Sequence, residues 1–153
     1  MANDRLVHRP ESVGGWAKRC YLAARVAMEN ALRPYGLGAT QWYVLYQLAN
    51  VGPTMQRELQ SILQVERATL SVVVGSLVRK QLVEQVPDRV DQRQKLLRLT
   101  SAGTKLWNDL PDLTQIHAVA FDGIDHAEIA TAVKVLRTAT ERLELLSRER
   151  NDG

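Results

Sequence analysis

A mainly α fold, a winged helix-turn-helix with helices at both ends in the order α-α-α-α-β-β-α-α, is the class this sequence predicts. Three observations lead there. Leu82 to Thr100, reading LVEQVPDRVDQRQKLLRLT, has two short apolar runs, Leu82–Val86 and Lys95–Leu99, around Pro87 and a charged tip of Asp88, Arg89, Asp91 and Arg93, which is a hairpin pattern. Just before it, Pro53 to Gln81 reads as helix, short turn, helix. Long amphipathic segments bracket this unit on both sides. A helix-turn-helix followed by an arginine-tipped hairpin suits duplex DNA: the second helix enters the major groove and the wing reaches backbone or minor groove.

The elements follow in order. Val13, Trp16, Ala17, Cys20, Ala24, Ala27, Met28 and Ala31 recur at steps of three and four, one apolar stripe on a first helix from Glu11 to about Leu32. Pro34, Gly36 and Gly38 end it. Thr40 is the expected cap of a second helix, with Leu45 and Leu48 inward. Gly52-Pro53 breaks the chain, Thr54 is expected to cap a third helix, Met55–Leu63, and a turn at Gln64-Val65 opens a fourth, Glu66 to about Lys80. After the hairpin, Thr100 is placed to cap a fifth helix through Leu106, Leu110, Leu113 and Ile116, with a kink or break at Pro111. Asp125 with Glu128 starts the last helix, where Ile129, Val133, Leu136, Thr140 and Leu143 line one face.

At 153 residues, with 45% hydrophobic and 24% charged, the chain has the size and composition of one ordinary globular domain. Within that single domain, 1–153, residues 36–100 form the winged lobe, and 11–34 with 101–149 form a helical dimerisation region. Met1–Gly14 has no apolar core, no run approaches the ~20 residues that span a bilayer, and one cysteine suits a reducing cytoplasm. Net charge is +3, unevenly spread: residues 54–100 carry eight Lys/Arg against five Asp/Glu, while residues 101–153 carry six against nine. The basic surplus gains meaning because Arg89, Arg93 and Lys95 fall on one hairpin.

On the fourth helix Leu70, Val73, Val74 and Leu77 share one side, and Ala68, Val72, Gly75, Ser76 and Arg79 face away at 100° per residue. Arg67, Thr69 and Ser71 lie near the N-terminal end or the flanks, where helices of this motif meet base edges. Arginine bonds guanine in a bidentate way, hydroxyls adapt to several bases, and Ala68 or Val72 can pack on a thymine methyl. The terminal stripes need cover, which a second copy supplies; a twofold dimer also sets two reading helices about one DNA turn apart, roughly 10 bp, on a pseudo-palindromic operator.

The ordered set resembles the MarR family of bacterial transcriptional regulators. Asp91–Lys95 (D-Q-R-Q-K), followed by Leu96–Gly103 (L-L-R-L-T-S-A-G), is similar to the family's D-x-R followed by L-T-x-x-G, and GLGATQWYVLYQL with Gln41 is similar to its entry helix. Thr69, Ser71, Leu77, Leu82 and Val83 fall where the family has similar residues. The chain departs at Val72, where a polar or basic side chain is common, and at Gln81, where glycine often ends the helix. The resemblance implies a triangular homodimer joined by the first, fifth and sixth helices. It also implies that Arg93 inserts at the minor groove and Asp91 holds it by a salt bridge.

Many members release DNA when a small aromatic acid binds between the DNA-binding lobe and the dimer helices. The resembling pocket draws on Arg19 as the cation and on Trp16, Tyr21, Trp42, Tyr46 and Trp107 as walls. The expected function is therefore a sequence-specific regulator, a repressor more than an activator, that responds to a small aromatic carboxylate and needs no cofactor. One branch senses peroxides with a first-helix cysteine. That position aligns approximately with Gly14, and its tyrosine partners fall near Lys18 and Met28, which cannot serve. Cys20, on the apolar stripe, reads instead as a small inert hydrophobe, with a redox-responsive regulator as the alternative. A winged-helix protein-interaction module that binds no DNA is a further alternative. No G-x-S-x-G, H-E-x-x-H or phosphate-binding glycine loop argues for an enzyme. His8, His117 and His126 are too scattered for a metal site, even with Asp122 beside the last two.

Overall fold

The computed structural model describes residues 12–151, and its backbone divides into two compact units, one ending at Ile116 and the other beginning at His117. The expected start of the first helix at Glu11, His8 and most of Met1–Gly14 lie outside the described residues.

In the first unit, α1 (Val13–Leu32) is capped by Ser12, whose Oγ accepts from Gly15 N at 3.0 Å. A 3-10 turn, Arg33–Tyr35, and Gly36 at φ 68° reverse the chain. Helix α2 (Ala39–Asn50) follows, then β1 (Thr54–Met55), α3 (Gln56–Leu63), α4 (Arg67–Arg79), β2 (Val83–Pro87), β3 (Lys95–Leu99) and α5 (Ser101–Asp109), and the unit ends within α6 (Thr114–Phe121). The strands form an antiparallel sheet in the order β1-β3-β2, with Thr54 opposite Leu97 and Gln85 opposite Leu97 on the other side. The core is continuous under all of these: Leu32, Leu45, Leu59, Leu70, Leu77, Val74, Val83 and Leu97 are almost fully enclosed. Burying a leucine side chain in this way is worth about 1.5–3 kcal/mol.

Several boundaries differ from the sequence reading, each for a physical reason. Thr54 does not cap the third helix. It lies buried in β1, its hydroxyl donating to Gly52 O at 2.9 Å, because β3 needs a second neighbour and Thr54-Met55 supplies it. The helix therefore starts at Gln56, and a third strand joins the expected two. Gly38, not Thr40, is the N-cap of α2: Gln41 Oε1 accepts from Gly38 N at 3.1 Å, while Thr40 Oγ1 takes a bond from Arg25 at 3.3 Å. The second strand begins at Val83 because Leu82 closes the turn instead, its carbonyl accepting from Thr100 N at 3.1 Å. The fifth helix is two helices. Pro111 lies in the gap, as a residue without an N–H must, and Asp112 Oδ1 accepts from Thr114 Oγ1 at 2.6 Å and Thr114 N at 3.0 Å to restart the chain. Those two bonds, the hydroxyl's first, hold the Asp112 carboxyl below its ordinary pKa.

The second unit is dominated by one long helix, α7 (His126–Asn151). Asp125 starts it as expected, accepting from Ala127 N at 3.2 Å. Val133, Leu136, Leu143 and Leu146 are exposed on it in the single chain.

Candidate nucleic-acid interface

Helix α4 is held by its inner face. Leu70, Val74 and Leu77 are buried and Val73 is half-buried, which leaves Arg67, Ala68, Thr69, Ser71, Val72 and Arg79 exposed. The turn that launches α4 uses Gln64 at φ 54°, a left-handed conformation that costs a non-glycine residue energy; its side chain donates to Ser61 O at 3.1 Å. Two residues expected on the outer face are not free there. Ser76 is half-buried with its Oγ accepting from Gln41 Nε2 at 3.0 Å, and Gly75 is half-buried beneath the Arg79 side chain.

Gln41 is the residue that sequence reasoning undervalued. Its Oε1 also accepts from Lys80 Nζ at 3.3 Å, and Lys80 donates in turn to Gly36 O. One amide thus joins the start of α2 to two positions near the end of α4, fixing the direction in which the outer face points. Its place in the family-like entry helix was the signal available, but a bond across 35 residues is invisible to local pattern.

The wing tip is built from aspartates. Asp88 Oδ2 accepts from Val90 N at 3.3 Å and Asp91 N at 3.1 Å, an Asx turn that shapes the loop. Asp91 Oδ1 accepts from Arg93 N at 3.1 Å and Arg93 Nε at 3.2 Å, so the arginine is held at both ends although its side chain is 93% exposed. An exposed pair of this kind adds little to stability. It restricts the arginine before any partner arrives, which lowers the entropy lost on docking. Arg89 is exposed on the same loop. At the base, Arg98 Nε and Glu84 Oε2 pair across the strands at 2.7 Å, and Gln85 Nε2 donates to Gln56 Oε1 at 2.9 Å, tying the wing to α3.

The residues expected to hold an aromatic acid divide into groups. Trp42, Tyr46 and Trp107 come together, with ring centroids 5.2 Å (Trp42–Tyr46), 5.6 Å (Trp42–Trp107) and 5.9 Å (Tyr46–Trp107) apart. Tyr43, not anticipated, joins edge-on at 5.2 Å from Trp42. Trp42 Nε1 is buried without a hydrogen-bond partner among the described residues. Trp16 and Arg19 instead stack on each other, the guanidinium 5.1 Å from the ring centroid, and Tyr21 Oη accepts from Arg25 at 3.4 Å; both aromatics of α1 are more than half exposed. A 3.6-residue repeat puts Trp16 and Tyr21 on different sides of α1, so one helix cannot aim both at the same cluster. Cys20 is exposed in the single chain, on the stretch of the α1 stripe that was expected to need cover from a second copy. Among the described residues no three metal-ligating side chains cluster, and His117 stacks on Phe121 at 6.5 Å.

The profile of the MarR family matches residues 35–94, the span from the turn before α2 to the wing tip. An HTH-type transcriptional regulator of Bacillus subtilis, YwoH, is 36% identical over 89 residues, covering 58% of this chain and 64% of its own length. The HTH-type transcriptional repressor NicR of Pseudomonas putida is 27% identical over 128 residues, covering 83% of this chain and 81% of its own length. Among solved structures, BpsR of Bordetella bronchiseptica, whose DNA binding is described as regulated by 6-hydroxynicotinic acid, superposes with a TM-score of 0.75 at 26% identity, covering 87% of this chain and 96% of that one.

Proposed function

The chain belongs to the MarR family of winged helix-turn-helix transcriptional regulators, and on that premise we propose that it is a sequence-specific DNA-binding repressor, acting as a homodimer and released from its operator by a small aromatic acid. The observation that carries the DNA-binding part is the division of α4. Its apolar side is spent on the core, while Arg67, Thr69 and Ser71 stay exposed at its N-terminal end, beside a wing whose Arg93 is already held by Asp91. In this reading Arg67 bonds a guanine edge, Thr69 and Ser71 adapt to neighbouring bases or phosphates, Arg79 and Arg89 meet the backbone, and Arg93 enters the minor groove.

Pairing with a second copy covers the apolar residues that a single chain leaves in water: Val13 and Trp16 on the α1 stripe, and Val133, Leu136 and Leu143 on α7. The effector part rests on Trp42, Tyr46 and Trp107, an aromatic wall with a buried indole N–H still able to donate, and on the relatives that repress or respond to an aromatic acid. A ligand of this kind lowers DNA affinity only by binding the DNA-free form more tightly; a tenfold loss needs about 1.4 kcal/mol of difference.

The test is a mobility shift with the DNA upstream of the chain's own reading frame, against unrelated duplex as competitor. A shift that survives excess competitor and weakens with an aromatic acid is the expected result. A chain that binds both duplexes alike, or neither, refutes specific recognition and leaves the interaction-module alternative.

A further inference from the structure

Resting on the DNA-binding reading above, we propose that Val72 reads the 5-methyl group of a thymine, so that each operator half-site holds one thymine recognised through that methyl. Val72 is 71% exposed on a helix whose Leu70, Val74 and Leu77 are enclosed. Its neighbours on the helix surface are the residues three and four positions away. On the N-terminal side these are Ala68 and Thr69, both short and exposed. On the other side Gly75 has no side chain, and the Ser76 hydroxyl is engaged by Gln41 at 3.0 Å.

No long polar side chain therefore stands among these helix-surface neighbours of Val72 to bond a base edge at that place. Arg79, the next exposed residue along this face, lies back over Gly75, its guanidinium 3.5 Å from where a Cβ would be. What remains is a small apolar spot formed by Val72 and Ala68, with the short Thr69 beside it. In the major groove the one apolar feature is the thymine methyl. The helix itself gains nothing from a β-branched residue here, since alanine has the higher helix propensity and Val72 does not reach the core.

The experiment selects operators from random duplex with the full chain, then replaces each conserved thymine by deoxyuridine, which removes only the methyl. One thymine per half-site is expected to lose about fourfold in affinity on replacement, the equivalent of ~0.8 kcal/mol for one buried methyl, and about 15-fold when both half-sites are changed. In Val72→Ala, which keeps the fold because the side chain is exposed, that dependence disappears while thymine-independent affinity remains. An operator with no deoxyuridine-sensitive thymine, or full sensitivity retained in Val72→Ala, overturns this inference and leaves DNA binding standing. Failure to enrich any duplex overturns the DNA-binding reading and this inference with it.

Discussion

Replacing Gly103 by alanine is expected to destabilise the chain by about 2–4 kcal/mol, although a glycine inside a helix ordinarily gains from the change. Gly103 lies in the first turn of α5, where the helix leaves the wing. Thr100 N donates to Leu82 O at 3.1 Å, and the Thr100 hydroxyl donates to Gln81 O at 2.6 Å while accepting from Gly103 N at 2.9 Å. A Cβ on residue 103 would fall on Leu82 O, well inside van der Waals contact, 3.0 Å from Leu82 C and 3.2 Å from Leu99 Cδ2. The first two are backbone atoms and cannot rotate aside.

Admitting the methyl moves the Leu82 carbonyl off Thr100, costing about 1–3 kcal/mol for the unpaired groups. Overpacking against Leu99 adds about 1–3 kcal/mol, and better helix propensity returns only about 0.5–1 kcal/mol. Urea denaturation at fixed protein concentration reads the result as a lower midpoint with an unchanged slope. Gly75→Ala is the control: its Cβ meets only the flexible end of Arg79 at 3.5 Å, so it should gain about 0.5–1 kcal/mol. A Gly103→Ala chain within about 0.5 kcal/mol of the parent would refute the close approach of α5 to the wing base.

Three further outcomes follow from the site. Arg93→Ala should weaken operator binding by about 1–3 kcal/mol and flatten the salt dependence by about one unit per copy, with a smaller loss in Asp91→Ala, since Asp91 only positions the arginine; an unchanged affinity and salt slope in Arg93→Ala contradicts the wing assignment. Leu136→Glu on α7 should dissociate or unfold the dimer, read by sedimentation; a parent chain that is a folded monomer at micromolar concentration rules the dimer out. Trp107→Ala should weaken 6-hydroxynicotinate, used as a probe aromatic acid, by about tenfold in calorimetry, whereas Arg19→Ala, whose guanidinium stacks on Trp16 and not on this cluster, tests whether α1 contributes at all. An affinity unchanged in Trp107→Ala removes the aromatic cluster from the effector site.

Local chemistry made much of the fold legible. The break at Pro111, the start at Asp125, the hairpin around the charged tip and the buried side of α4 all follow from residues within a few positions of one another. What escaped depends on partners far along the chain. Thr54-Met55 is too short to read as a strand until Leu96 and Leu97 are beside it. Ser76 has the right angular position for an outer-face residue, and only the reach of Gln41 takes its hydroxyl inward. Gln81 follows α4 at φ 60°, a left-handed geometry that glycine adopts at no steric cost, so the departure from glycine expected there leaves the fold intact. The aromatic site was half legible. Side chain type pointed to six residues, and the packing of α2 on α5 brings three of them together. An apolar stripe announces that a surface needs cover without saying which element supplies it, and Cys20 stays exposed on that stripe in the single chain.

The central claim, recognition of duplex DNA by α4 and the wing, is tested most directly by the salt dependence of operator affinity in the unmodified chain. Arg79 and Arg89 at the backbone and Arg93 in the minor groove, on each of two copies, bring about six positive side chains that displace counterions from the duplex, so log affinity against log salt should fall with a slope of about −5. A slope near that value, together with at least about a thousandfold preference over unrelated duplex at the same salt, is what the account predicts. A slope near zero, or a steep slope with no preference between duplexes, contradicts it.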